Sequence, residues 1–481
     1  MRRQHVWQRL AGSASIGHRP YGMLRRSRTA FVVLSSHQVQ PVQFPERNRS
    51  YLSTFTKTLG DRKVRLRPLR CSHQNRRVSS TNSSIATTVS ITRPAQDEDP
   101  AAAHIGISDV EDIASYNWLE KPTPTILVPG IPPVWSVPKI TPRLLPDVGK
   151  RVRYIDENAD RYPWSQLEPL VQAVTATHPD FDFNGLDVVT DRRPIRQVLE
   201  WATGKSKEFQ FGVEVVRNTA FFIRTEKHAR ETVRSGMFRG YRRAFEQSYF
   251  KIPFYAQDTT AHYAMIRYRL GTLKALICST FDGYLPEEVS GHDTSASRST
   301  HGQADMANFR SSISHLPRAP SIKDTPEAPS LTVLRGKKEV PHSALFELST
   351  RSKSRKTPIN IEAKFPDMWL SQTPYFVTAL HENVKSRQSR DNKELPPFAE
   401  FKDIQITHIK EKLQQWEEAN QSSIRKFVVV LQQILEQAAA MEAPCMVTHV
   451  KTGEGLRLSR VHPGSFAGSP ESLKARLRDS S

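Results

Sequence analysis

Cysteine, long apolar runs and nucleotide-binding loops are scarce or absent in this chain of 481 residues. Its three cysteines, Cys71, Cys278 and Cys445, lie far apart and form no C-x-x-C pair, so neither a disulfide framework nor a zinc site is indicated. No run approaches the roughly 20 apolar residues of a membrane span. Gly-x-Gly-x-x-Gly and Walker A signatures are also absent, which argues against nucleotide-driven motors and Rossmann chemistry.

Acidic residues are scarce in the first part of the chain only. Residues 1–93 contain 18 Lys and Arg against two acids, whereas the remaining residues contain 51 against 47, so the net charge of +20 belongs mainly to the leader. The overall charge therefore indicates little about the partners of the core. Strong RNA binding requires a clustered basic patch. The dense candidates in the core are Arg239, Arg242, Arg243, Arg267, Arg269 and Lys274.

The leader has the composition of a targeting segment. Its first 45 residues contain no Asp or Glu, and arginines are spaced by serine, alanine and apolar residues, which is typical of a mitochondrial transit peptide. We predict a transit peptide over residues 1–51, a location in the mitochondrial matrix and a disordered linker over residues 52–104. A disordered basic tail and a nuclear address are the alternatives.

The rest of the chain is predicted to be an α+β protein, with a mixed β-sheet core flanked by helices. The core is expected in two parts, at 105–284 and 331–462. Residues 285–330 are rich in Ser, His, Ala and Pro without periodicity, which indicates a disordered insertion. Residues 463–481 are predicted to be a flexible tail.

Apolar periodicity predicts the main elements of the core. Helical spacing indicates a short helix from Ser108 to Leu119, a packed helix from Pro163 to Thr177 and a long helix from Asp403 to Met441. Alternation around turns indicates β-hairpins at Phe211–Glu226 and His262–Phe281, and Leu186–Trp201 changes from strand-like to helix-like periodicity.

A carboxylate lies within one apolar, β-prone run, His342–Arg351. Residues alternate faces along a strand, so Glu347 shares a face with the residues two and four positions on. A second apolar run ends at Asp282, and the segment Asp367–Pro374, predicted as a helix start, carries Gln372. Two strands that each deliver a carboxylate can hold Mg²⁺ or Mn²⁺ for phosphodiester hydrolysis. A lone Glu on a strand is more often part of its solvated face.

The order of several segments resembles a nuclease family. These segments are L-D-V-V-T-D-R-R from Leu186, F-R-G-Y-R-R-A-F-E from Phe238, and the two carboxylate strands. They resemble the decapping exoribonuclease (DXO) family, which includes the fungal Rat1-interacting proteins and is related to the PD-(D/E)XK nucleases. More closely, the chain resembles a fungal group with this core that is often labelled geranylgeranyl pyrophosphate synthetase. Prenyl synthases need paired aspartate clusters, and this chain contains no Asp-Asp pair.

The resemblance implies an RNA 5′ end as substrate or ligand and Mg²⁺ or Mn²⁺ as cofactor; a protein partner stays open. It implies that Arg192 holds the RNA 5′ end and that Gln372 places water or phosphate. The implied catalytic residues are Glu347, Asp282 and Gln372. The implied metal ligands are Asp282, Glu347 and Glu246.

The chain departs from the family pattern at two positions. The family has Glu-x-Asp where this chain has Thr280 before Asp282, and Glu-x-Lys where this chain has Ser349 after Glu347. Arg351 lies on the Glu347 face and could contact phosphate, but a guanidinium stays protonated and cannot act as a base. Two hypotheses follow: a metal-dependent hydrolase or exonuclease of RNA 5′ ends, and a non-catalytic RNA- or protein-binding pseudonuclease in mitochondria.

Overall fold

The structure of the protein is a computed structural model. It describes residues 88–95, 103–149, 151–233, 240–290, 329–384, 397–450, 455–468, 470 and 473–474. The predicted transit peptide and most of the predicted linker and insertion lie outside these ranges.

The described residues form strands in three sheets. In chain order they are β1 Thr88–Ile91, β2 Ile107–Leu119, β3 Thr125–Val128, β4 Val134–Trp135, β5 Arg151–Tyr154, β6 Val188–Asp191, β7 Phe209–Val216, β8 Thr219–Arg224, β9 Arg230–Val233, β10 Phe250–Lys251, β11 Thr259–Leu270, β12 Leu273–Phe281, β13 Gly283–Tyr284, β14 Thr332–Arg335, β15 Leu345–Ser352, β16 Tyr375–Val384, β17 Phe398–His408, β18 Cys445–His449 and β19 Leu456–Arg460.

Helices cover the sheets. They are α1 Glu157–Arg161, α2 Glu168–Thr177, α3 Arg192–Ala202, α4 Arg242–Tyr249, α5 Pro286–Ser290, α6 Phe365–Leu370, α7 Lys410–Ala419 and α8 Gln421–Ala440. Within the described ranges, none of them has the length and apolar character needed to cross a membrane.

The sheets mix parallel and antiparallel pairs, which confirms the predicted α+β class. One of the three sheets is the pair β5–β9. Of the other two, the larger sheet has the order β1-β19-β18-β7-β8-β6-β12-β11-β2-β3-β14, and the smaller sheet has the order β10-β4-β13-β15-β16-β17. The hairpins β7–β8 and β11–β12 are antiparallel, whereas β6 is parallel to both β8 and β12. The predicted hairpins and the strand-to-helix segment β6–α3 are thus present.

Each face of the larger sheet is covered by helices. Ile195 of α3 and Phe427 of α8 belong to one buried cluster, and Leu170 of α2 belongs to a cluster on the opposite face. Phe245 of α4 packs with Phe346 of β15 in the smaller sheet. Burial of such apolar side chains contributes about 1.5–3 kcal/mol each and fixes α3 and α4 on the sheets.

The prediction of a helix at Ser108–Leu119 is wrong, because this segment is the long strand β2. Residues 113–119 are all buried. Side chains on one face, including Trp118, join the cluster beneath α2, while Leu119 on the other face joins a different cluster. A strand buried on both faces shows no polar–apolar alternation. Acids at its exposed start, such as Asp112, then resemble a helix cap.

The prediction of one helix over Asp403–Met441 is also wrong. The sheet continues through β17 to His408, and α7 and α8 are separated at Asn420. The apolar stripe of this region is nevertheless core, as predicted, since Leu413, Phe427 and Ile434 are buried together. A register shift in β17 next to Leu380 of β16 accompanies its extension.

Several predicted boundaries differ from the structure. Strand β1 lies inside the predicted linker and pairs with β19. Helix α5 lies inside the predicted insertion, and Leu473 of the predicted tail is fully buried. The helix expected from Pro163 begins only at Glu168, and the predicted helix start at Asp367 lies within α6, which ends at Leu370.

His262, in β11, and His342, in the turn before β15, are both buried. His262 Nδ1 is 3.2 Å from Asn117 Oδ1, an oxygen that also accepts a hydrogen bond from Ile131 N, while Asn117 Nδ2 donates to Ala261 O. Because Asn117 Oδ1 is an acceptor, the proton of His262 lies on Nδ1. His262 Nε2 has no partner among the described residues. Burial, with a smaller effect of His342, lowers the pKa of His262 to about 3.

His262 is expected to make folding stability depend on pH. Its folded pKa lies below the ordinary value of 6.5, so the unfolded chain takes up the proton first and the stability is lost as pH falls from about 6.5 towards 3. The slope for one such group is about 1.4 kcal/mol per pH unit. Urea unfolding of His262→Gln between pH 7 and 5 should show a flatter dependence than wild type. Exposed His178→Gln serves as the control, and equal slopes in all three proteins would refute the assignment.

Asn158 links α1 to strand β2 of the larger sheet. Its Oδ1 accepts hydrogen bonds from Tyr116 Oη at 3.0 Å and from Trp118 Nε1 at 2.7 Å, and all three residues are buried. Asn158→Ala leaves two buried donors unpaired, which should cost about 2–4 kcal/mol of unfolding free energy. Denaturant unfolding measures the loss. Exposed Asn218→Ala should change stability by about 0.5 kcal/mol or less, and a similar loss in both variants would contradict the prediction.

Candidate functional site

Arg242 joins two of the predicted carboxylates. Its Nε donates to Glu246 Oε1 at 2.7 Å, one helical turn on, and its Nη2 donates to Asp282 Oδ1 at 2.6 Å. Asp147 caps the start of α4 by accepting from two backbone N–H groups, which orients the helix that carries Arg242. We name Arg242, Glu246 and Asp282 the Arg242 cluster.

The Arg242 cluster also completes the edge of β15. Strand β13 pairs with β15 only at Phe346 and the residue before it. Beyond that point Leu348 N donates to Asp282 Oδ2 at 2.6 Å, and Leu348 O accepts from Arg242 Nη1 at 2.7 Å. Both oxygens of Asp282 are therefore bonded, and two side chains replace the missing strand neighbour, as buried backbone groups require.

Glu347 lies in a separate cluster with Arg192. Glu347 accepts a hydrogen bond from Arg192 Nη1, which also donates to Ser371 Oγ at 3.0 Å. Arg192 Nε is 3.9 Å from Asp367 Oδ1, and Asp367 Oδ2 accepts from Arg196 Nη1 at 2.6 Å. We name Arg192, Arg196, Glu347 and Asp367 the Arg192 cluster.

Burial and charge determine the protonation of these groups. Burial opposes the charge on Arg192, but Glu347 and Asp367 outweigh it and raise its pKa. Burial likewise opposes the charge on Arg242, whose two carboxylate partners raise its pKa. Burial raises the pKa of Glu246, an effect that Arg242 partly offsets. Both arginines therefore stay charged and tied to their carboxylates.

The predicted metal ligands Glu246, Asp282 and Glu347 do not fit a shared divalent ion in this structure. Within the described ranges, no three His, Cys, Asp or Glu side chains are placed to hold one metal. Arginine occupies the carboxylates instead: Arg242 bonds two of them, and Arg192 bonds the third. A hard cation needs these oxygens free, so we derive no metal-dependent step for this arrangement.

Gln372 and Arg351 are directed elsewhere. Gln372 follows α6 with a positive φ of 48°, and its Nε2 donates to Trp369 O at 2.6 Å. The backbone carbonyl oxygen of Gln372 is 3.0 Å from Nε2 of the His342 ring, within hydrogen-bond distance. Arg351 Nη1 donates to Pro358 O at 2.6 Å. The structure therefore brings Arg192 to Glu347, and Glu246 to Asp282. The side-chain amide of Gln372 is instead bonded to the end of the preceding helix, α6.

A cleft of about 860 Å³ adjoins the Arg242 cluster, which is within the size range of small-ligand sites. Glu246 and Asp282 line it, together with Thr280 and the side chain of Arg243. The remaining lining residues are Pro133, Tyr154, Ile155, Glu157, Arg224, Gln247, Phe250, Ile252, Gln257, Thr260, Ala261, His262, Tyr263 and Phe281. Thr280 thus leaves an uncharged wall where the family pattern would place a carboxylate.

The predicted basic patch is divided between two regions. Arg243 lines the cleft and Arg242 adjoins it, whereas another group lies at the far end of the β11–β12 hairpin, where its two arginines pair with acids of β2. Arg239 lies outside the described residues. The members at the far end are Arg267, Arg269 and Lys274.

Asp191, which sequence patterns did not single out, is a perturbed acid near the cleft. It ends β6 beside Cys278 of β12, and burial raises its pKa to about 7, with Arg224 opposing and Asp156 adding to the shift. Its position directly before Arg192 was the available signal. The sequence also shows Arg242 within its segment, but it does not show which carboxylates Arg242 bonds.

Solved structures similar to this chain include Rai1 and Dxo1 proteins. Rai1 of S. pombe in complex with 3′-FADP has 11% identity and a TM-score of 0.44, covering 78% of this chain and 100% of that chain. Rai1 of Candida albicans in complex with pU5-Mn²⁺ has 8% identity and a TM-score of 0.44, covering 82% and 99%. Dxo1 of K. lactis in complex with manganese has 12% identity and a TM-score of 0.42, covering 78% and 98%. Likeness at this level assigns neither activity nor ligand to this chain.

Comparison of the sequence with curated proteins finds no match. A family model described as "Domain of unknown function (DUF8563)" matches residues 89–477. The match runs from β1 to beyond β19 and so includes both clusters and the cleft. The chain belongs to the family described as a domain of unknown function, DUF8563.

Proposed function

We propose that this protein binds the 5′ end of RNA in the cleft beside the Arg242 cluster and does not hydrolyse it. The observation that carries the proposal is the bonding of Asp282, whose two oxygens are taken by Arg242 and by Leu348 N. A carboxylate used in this way supports a strand edge. The sequence departures at Thr280 and Ser349 remove two further charged groups of the family pattern, a Glu and a Lys.

The cleft offers suitable contacts for a nucleotide. Arg243 on its wall can pair with phosphate, and the half-buried Tyr154 offers aromatic surface, with polar groups such as Gln247 on the same lining. The motif resemblance supports RNA as the ligand, and the composition of residues 1–51 supports a mitochondrial location for this role.

The second candidate is the metal-dependent hydrolase. Glu246 and Asp282 are about one-third exposed, at 34% and 32%, and both line the cleft. A divalent ion entering from the cleft would have to displace Arg242 from both carboxylates. Competition between Arg242 and a metal therefore separates the two functions.

Arg242→Met is expected to expose a latent cation site. Removing the guanidinium leaves two neighbouring carboxylates, so the variant should lose about 1–2 kcal/mol of stability, between the values for exposed and buried pairs. Saturating Mn²⁺ should then restore about 2–3 kcal/mol, while wild type should gain little. Thermal unfolding with and without Mn²⁺ measures both effects. Arg351→Met, which removes a guanidinium bonded to the backbone carbonyl of Pro358, frees no carboxylate pair and should not gain a Mn²⁺ response.

The outcome that would contradict this assignment is a strong Mn²⁺ stabilisation of wild type that disappears in Glu246→Gln. Arg242 would then yield to metal, and the hydrolase would become the better-supported function.

RNA binding without turnover is the direct test. The full-length protein is mixed with 5′-labelled RNAs bearing monophosphate, triphosphate or capped ends, with Mn²⁺ present. We expect binding by fluorescence anisotropy and no shortened product on gels. Arg243→Ala should weaken binding about 10-fold, the equivalent of one phosphate contact worth about 1.4 kcal/mol. Arg269→Ala, at the far end of the hairpin, is the matched control.

Two results would overturn the proposal. Turnover by wild type that vanishes in Glu347→Ala would establish a hydrolase. Failure of wild type to bind any of the RNAs would remove RNA as the ligand.

A further inference from the structure

A run of exposed apolar and aromatic side chains projects from the mouth of the cleft. After β10, Ile252 and Gln257 line the cleft, and between them Phe254 is 87% exposed and Tyr255 is 39% exposed. Large apolar side chains exposed together mark interaction surfaces more often than single ones do.

The loop that carries these rings is held in place. Ala256 is fully buried within the cluster beneath this edge of the sheet. Its N–H donates to Pro253 O at 2.9 Å, and its carbonyl accepts from Thr259 Oγ1 at 2.7 Å. Phe254 is therefore presented to solvent on a short fixed turn, and little conformational entropy is lost when a ligand contacts it.

A basic side chain lies over one of the exposed rings. Lys337 Nζ is 5.5 Å from the centre of the Tyr255 ring, and the next residue, Lys338, has its Nζ 6.0 Å from the ring of the buried Tyr284. Lys251 in β10 is exposed as well. The exposed acids nearest in sequence are Asp258 and Glu339, so the surroundings combine aromatic faces with a modest excess of positive charge.

We propose that the loop 252–256, with Lys337 beside it, is a stacking platform for the unpaired nucleotides that follow the RNA 5′ end. The proposal rests on the proposed function, because the platform continues the cleft that would hold the 5′ end. Bases stack on aromatic side chains irrespective of their sequence, and lysines contact the phosphates between them.

A single-stranded nucleic acid fits this surface better than a second copy of the chain. Three adjacent apolar residues form a small surface, whereas a stable dimer buries about 800 Å² on each partner. The neighbouring lysines would repel each other across a self-association interface, but they complement a phosphate backbone.

The test separates the platform from the cleft by RNA length. The full-length protein is titrated with 5′-monophosphorylated oligouridylates of two and twelve nucleotides. Wild type should bind the longer RNA at least about 10-fold more tightly, since each stacked base contributes about 1–3 kcal/mol. Phe254→Ala should weaken binding of the longer RNA about 10-fold and change binding of the shorter RNA by less than about twofold. Phe254→Trp should retain the length gain, and exposed Val429→Ala is the control.

The remaining outcomes distinguish the platform from the cleft and from a dimer interface. Length-independent binding that still requires Arg243 would overturn the platform and leave the proposed function intact. Equal loss on both RNAs in Phe254→Ala would also overturn it, because Phe254 would then act at the 5′ end. A wild-type dimer that Phe254→Ala converts to a monomer in sedimentation would assign the surface to a second copy instead. If no RNA binds, the proposed function and the platform fail together.

Discussion

The position of β15 depends on the guanidinium of Arg242. This one side chain bonds Glu246 on its own helix, Asp282 at the end of β12 and the carbonyl oxygen of Leu348. Because β13 is too short to cover the edge of β15 at Leu348, the ion pair completes the hydrogen bonding that a third strand would provide. The charge network and the sheet therefore stabilise each other, and the side chain of Glu347 is directed to the opposite side of β15 from Leu348.

The charge balance explains why arginine suits this chain. With Thr280 in place of a carboxylate, the Arg242 cluster has two acids and one guanidinium, so one negative charge remains. Burial raises the pKa of Glu246, and Arg242 opposes that shift. A further acid would leave two excess negative charges beside one arginine and would favour a divalent ion more strongly. Thr280 thus keeps the excess of negative charge beside Arg242 to one.

Sequence patterns predicted those features that depend on local periodicity. The β7–β8 and β11–β12 hairpins, the β6–α3 segment and the alternation around Glu347 follow from residues close in the chain. Strand β2 was predicted wrongly because neighbours far along the chain bury both its faces. The partners of Arg242 could not be predicted, since Asp282 and Leu348 lie 40 and 106 residues away. A pattern identifies an arginine on a helix but not the carboxylate that it will bond.

The distribution of basic residues constrains how a nucleic acid could be held. Arg267 and Arg269 are paired with acids of β2, at the far end of the hairpin from the cleft. These two arginines are therefore not available at the cleft, and in the proposed binding mode Arg243 and the lysines beside the platform supply the electrostatic attraction to the backbone, which is only part of the binding energy. The rest must come from contacts that salt does not screen, and the aromatic side chains beside the cleft are the groups that can provide them. Binding at this site should accordingly depend less on salt than binding by a protein with a continuous basic groove.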